Sequence, residues 1–158
     1  GISFASATQS LFSERYLNVS LDEAVLQRTN YKLVREQVVE IGALASDNPG
    51  AAAELIRLMP IISWFMGSKA ILCTSTCRLR KLLDFHQVPF SLLTNASPDQ
   101  LSAEERAEWG SYYDQMPQTG VILLEQCSHL FNHFCGRLVF SEFDRVARST
   151  PSAPQVAA

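Results

Sequence analysis

The sequence predicts an all-α protein, a single-domain bundle of five to seven helices with at most a minor short strand. Three observations point there. Ser20-Leu-Asp-Glu23 has the form of a capping box, in which the serine oxygen accepts the N3 amide and the glutamate reaches back to the cap amide. Val34, Val38, Ile41 and Ala45 then recur at helical spacing, with Arg35, Glu36 and Glu40 largely on the other side. Farther along, two interleaved stripes (Leu123, Cys127, Leu130, Phe134 and Leu124, Ser128, Phe131, Cys135) make Val121 to Phe134 a helix buried over a wide arc and the centre of the fold.

The elements follow in order. Residues 1–18, rich in serine and alanine, read as a loose N-terminal arm, and Gly1-Ile-Ser has the look of a cloning remnant. A long helix starts near Leu21 and ends near Ser46. Asp47-Asn-Pro-Gly50 is a turn that starts the next helix, Ala51 to Met59, with Pro49 at the first helical position where its missing donor costs nothing. Pro60 predicts a break and a new helix to about Met66, because proline lacks the amide donor and clashes with the preceding turn. Ala70 to Thr74 has the composition of a short strand, and Thr76 to Phe85, with leucines at 79, 82 and 83, that of a one-sided helix.

Val88 to Thr94 is extended or irregular because of Pro89, and Ser102-Ala-Glu-Glu105 starts a polar helix over about Ala103 to Gln115. Leu138 to Arg148 continues as a last amphipathic segment. The tail 149–158, with Pro151 and Pro154 among small residues, has too little apolar surface to fold. One helical domain over 19–148 results.

Composition limits the function. The chain has 158 residues, 47% of them hydrophobic and 18% charged, enough for one core and too apolar for a disordered chain. A net charge of −3 excludes coating nucleic acid by bulk electrostatics and leaves only a local patch. The apolar run Leu55 to Leu72 is interrupted by Arg57, Pro60, Gly67 and Lys69, so it reads as a core segment and no membrane partner is expected. Four irregularly spaced cysteines and no signal-peptide pattern at Gly1 give reduced thiols and a cytoplasmic location as the expectation.

The only dense basic cluster is Arg78, Arg80 and Lys81, with Lys69 upstream and the hydroxyls of Thr74, Ser75 and Thr76 at a helix start. These could meet phosphates, or they could be the solvated edge of a helix whose leucines pack. Cys73 and Cys77, with Cys127 and Cys135, supply four sulfurs, but the second pair is spaced too widely for structural zinc, and buried thiols fit as well. Glu125, His129 and His133 fall on one helical face, a geometry that can hold a metal or can simply be solvated; no cofactor is expected. Cys77 beside Arg78, with His86 downstream, is a thiol–base pair without an oxyanion loop, so no enzyme activity is expected.

Asn30-Tyr-x-Leu33-x3-Gln37, then Leu55, Leu58, Ile61 and Trp64, then Ser68 and Ile71-Leu-Cys73 running into basic sequence, resemble the D subunit of the flagellar master transcriptional activator over residues 30–83. The resemblance implies an all-α transcriptional co-regulator that homodimerises, pairs with a second regulator subunit and supports its DNA binding. It would place Cys73 at a dimer interface, and Lys69, Arg78, Arg80 and Lys81 toward DNA. The alternative is a protein-interaction, adaptor, chaperone or ligand-binding domain with no DNA contact, and a third reading is a metal-dependent enzyme on the Glu125, His129 and His133 face.

Overall fold

The computed structural model describes residues 1–42 and 49–134, with the side chains of Pro49, His133 and Phe134 outside that description. The architecture is mixed α/β, which corrects the all-α expectation. Five strands, β1 (Ile2–Phe4), β2 (Val38–Ile41), β3 (Ala70–Ser75), β4 (Ser91–Asn95) and β5 (Gln118–Leu123), form one sheet in the order β1-β2-β3-β5-β4. Only β2 and β3 run parallel; β1, β4 and β5 pair antiparallel with their neighbours.

The two largest departures from the sequence reading have one physical cause. β2 and the Val121–Leu123 part of β5 read as helix because their apolar residues also fit helical spacing. All four residues of β2 are buried, and so is β5 from Thr119 to Leu123. Inner strands covered on both faces read as unbroken apolar runs, which periodicity alone cannot tell from a buried helix. The branched residues Val38, Val39 and Ile41 were the available signal for extended chain.

The capping box at Ser20 does start a helix, α1 (Leu21–Thr29), and Ser20 accepts the Glu23 amide. The helix stops where Asn30 takes the left-handed conformation, φ 57°, and its amide closes on Leu26 O. α2 (Pro49–Phe65) is one helix with Pro60 inside it. The expected break does not occur, because Ile56, Met59, Pro60 and Ile61 are all buried, and that packing offsets the roughly 3 kcal/mol cost of an internal proline.

The strand over Ala70 to Thr74 and the helix after it are present as read: β3, then α3 (Cys77–Phe85), capped by the Thr76 hydroxyl on the Leu79 amide. α4 (Ala103–Trp109) has the expected capping box at Ser102 and passes into a 3-10 helix at Gly110–Gln115. Leu124–Cys127 is a 3-10 turn that leads to α5 (Ser128–Phe134). The segment 138–148 and the tail 149–158 lie outside the described residues.

Strand alternation divides the core into two layers. Val39, Ile41, Ile71, Cys73 and Ile122 face the layer that holds Ile56, Met59, Leu83 and Leu130 of α2, α3 and α5. Val38, Ala70, Leu72, Val121 and Leu123 face Leu21 and Val25 of α1, together with Ala5 and Leu11. Glu40 and Thr74 have this second parity, so they point to the side where the N-terminal segment crosses the sheet.

Candidate functional site

The pairing of β2 with β3 runs from Val38–Ala70 to Glu40–Leu72, whereas β3 continues beside β5 to Ser75. Past Glu40 the two parallel strands are no longer paired, which leaves an opening at their carboxyl ends, the usual place for a ligand site in sheets with parallel strands. The N-terminal segment Phe12–Tyr16, a 3-10 helix, spans that opening.

Ser13 joins the two sides of the gap. Its amide donates to Glu40 Oε1 at 2.8 Å, and its hydroxyl lies 2.8 Å from Thr74 Oγ1, which in turn lies 2.7 Å from Thr119 Oγ1. The Phe12 amide donates to the other Glu40 oxygen at 2.7 Å. Arg35 anchors the segment from behind: both terminal nitrogens donate to Glu14, at 2.9 and 2.7 Å, and Nε donates to Ser6 O at 2.8 Å. Such a bidentate, partly buried pair is among the stronger side-chain links available.

A cavity of about 350 Å³ opens beside this bridge. Its floor holds Ser13, Glu40, Thr74 and Thr76, and its wall is aromatic: Phe12, Tyr16, Trp109 and Tyr112. Phe12 and Trp109 lie 5.6 Å apart between ring centroids, and Trp109 and Tyr112 4.8 Å, so the rings form a continuous surface. Tyr112 donates to Thr74 O at 3.2 Å, and Tyr16 and Tyr113 share a hydrogen bond of 2.6 Å.

Burial first, then the bond to Tyr113, pushes the Tyr16 hydroxyl well above its ordinary pKa. Burial pushes Tyr112 up to about 12, with Tyr113 and Cys73 adding to it. Both phenols are therefore neutral hydrogen-bonding groups at physiological pH. Glu40 is 6% exposed, accepts two backbone N–H bonds, and has no ion-pair partner among the described residues.

The members of the basic cluster make different contacts. Arg80 donates to Ser75 O at 2.8 Å and to Met116 O at 3.3 Å, so it ties α3 to the end of β3 and to the turn before β5. Arg78 and Lys81 are exposed on α3. Lys69 precedes β3, with its ammonium 6.0 Å from the Trp64 ring centroid. Cys73 is buried in the core of a single chain, where burial raises its thiol to about 12. Cys127 is also buried, and burial raises it to about 11.

Glu125 and His129 are exposed on successive elements, the 3-10 turn and α5; the His133 side chain lies outside the described residues, as does Cys135. No group of three or more His, Cys, Asp or Glu able to hold a metal occurs among the described residues.

A family model described as thermostable hemolysin matches residues 1–128. The chain belongs to the thermostable hemolysin family. No curated protein and no solved structure matches it. Family membership and the mixed α/β fold overturn the likeness to the flagellar regulator subunit, and with it the reading as a DNA-binding transcriptional co-regulator. The family match spans the whole pocket, from the N-terminal segment to Tyr112.

Sequence reasoning missed this site because its parts are scattered. Glu40 counted as the polar side of a helix, and Phe12 and Tyr16 as aromatics in a loose arm. One signal was present: a lone carboxylate inside a branched apolar run, Val38-Val-Glu-Ile41, is costly to bury without a purpose.

Proposed function

We propose that this chain is a hemolysin-like protein that acts through a small ligand held in the pocket between the parted ends of β2 and β3, without contact to DNA. The observation that carries this reading is Glu40: a buried carboxylate on the floor of an aromatic cavity, both oxygens already oriented by backbone amides. Orienting groups set in an otherwise apolar concavity are the usual make-up of ligand sites. Membership of the thermostable hemolysin family supports red-cell lysis as the activity to measure. Among the described residues no helix is long and apolar enough to cross a membrane.

The test is hemoglobin release from washed erythrocytes by the purified chain and by Trp109→Ala and Arg78→Ala variants of matched folded content. The reading expects lysis that falls by about tenfold or more in Trp109→Ala, the scale of one lost aromatic anchor, and is unchanged in Arg78→Ala. Equal lysis by all three proteins would remove the pocket from the activity.

A further inference from the structure

We infer that the pocket recognises an organic ammonium group, a deepening that rests on the reading of the cavity as a ligand site. The charge on the floor is Glu40, and among the described residues no lysine, arginine or histidine lines the cavity. Gly1 also lines the cavity, its nitrogen bonded to Gly42 O at 2.7 Å, and among the described residues no ion pair joins it to Glu40. A buried carboxylate held by two amide donors, with no counter-charge among the described residues, offers a charge that a cation complements.

The wall points to the kind of cation. Phe12, Trp109 and Tyr112 offer a run of ring faces and edges, and a cation over an aromatic face gains from the ring quadrupole, most of all at tryptophan. A hydrated metal ion would find oxygen ligands too few: Glu40 is the one carboxylate on the described lining, an amide bonds each of its oxygens, and the Thr74 hydroxyl is committed to Ser13 and Thr119. An alkylated ammonium, soft and weakly hydrated, matches both the rings and the charge. The same region already shows such a contact from within the chain: the Arg15 guanidinium stacks 4.0 Å from the Phe12 centroid, while Glu105, at 2.8 Å, balances its charge.

Two sources supply that chemistry, a choline lipid headgroup and a free soluble amine. The experiment is calorimetric titration of the full chain with choline chloride and with 3,3-dimethyl-1-butanol, its uncharged isostere, at constant ionic strength. Flotation with phosphatidylcholine and with phosphatidylglycerol vesicles of the same acyl chains follows. Saturable choline binding is expected, with the neutral isostere at least about tenfold weaker and a similar loss in Glu40→Gln.

Capture by phosphatidylcholine vesicles that is lost in Glu40→Gln assigns the lipid headgroup; choline binding without such capture assigns a soluble amine. If Glu40→Gln does not fold, Trp109→Leu takes its place with the same expected loss. Isostere binding equal to that of choline overturns the ammonium class and leaves the pocket standing. No heat from either probe overturns the ammonium class too, and the Trp109→Ala lysis assay then decides the pocket separately.

Discussion

Ser13 donates its amide hydrogen to Glu40 at 2.8 Å across 27 positions of sequence, and this bond fixes the floor of the pocket. The hydroxyl of the same serine continues to Thr74 and from there to Thr119, which is fully buried. Removing one end of a hydroxyl chain differs from removing its middle. Ser13→Ala leaves Thr74 and Thr119 bonded to each other and is expected to cost about 1 kcal/mol, the net worth of one hydrogen bond. Thr74→Val strands both neighbours and is expected to cost about 2 kcal/mol or more. Urea unfolding of the two variants at one pH checks the order, and a larger loss for Ser13→Ala would contradict it.

The cation cluster on α3 divides by contact. Arg80→Ala removes two bonds to backbone carbonyls and is expected to lower stability by about 1–2 kcal/mol, whereas Arg78→Ala and Lys81→Ala stay within about 0.5 kcal/mol of the parent. Thermal melts of the three single variants measure this directly.

Gly120 is required by close approach. A Cβ there would stand 2.3 Å from the Phe90 ring and 2.6 Å from Ser91 O, which is backbone of the neighbouring strand. Gly120→Ala is expected to cost about 3 kcal/mol, the upper range for forcing extra volume into a packed core. Adding Phe90→Leu should recover only part of that, because the Ser91 carbonyl remains in the way. Full recovery in the double variant would show that the ring alone set the limit.

Stability should fall in alkali. The Cys73 thiol is raised from 9.0 to about 12 by burial, so the folded chain keeps a proton that the unfolded chain gives up. For such a group the stabilisation is whole below the unfolded value and is lost as pH rises from about 9 toward 12, at up to about 1.4 kcal/mol per pH unit. Chemical denaturation at pH 8, 9 and 10 should show the decline, and Cys73→Ala should lessen it, leaving the part that Cys127 contributes.

The sequence carried the pieces whose signals are local. Ser20, Thr76 and Ser102 mark helix starts through their own side chains, Gly67 sits at a turn, and the branched run at 70–74 reads as a strand, whereas the stop at Asn30 was not read. β2 and β5 were hidden because burial on two faces erases alternation. The pocket was hidden for a different reason. Its hydrogen bonds across the sheet are not local: Glu40 meets Ser13, Thr74 meets Tyr112, and Tyr16 meets Tyr113, pairs that only the fold brings together. The basic cluster drew attention because it is contiguous, but contiguity along the chain says little about a shared surface.

The bridge over the gap between β2 and β3 has a consequence for how the protein matures. Tyr16 and Tyr113 touch although 97 positions separate them, so the first is made well before the second. The cavity therefore cannot exist in a partly made chain. It comes into being when the Phe12–Tyr16 segment closes on aromatic rings made about a hundred residues later, so the site forms only after Trp109 and Tyr112 have been added.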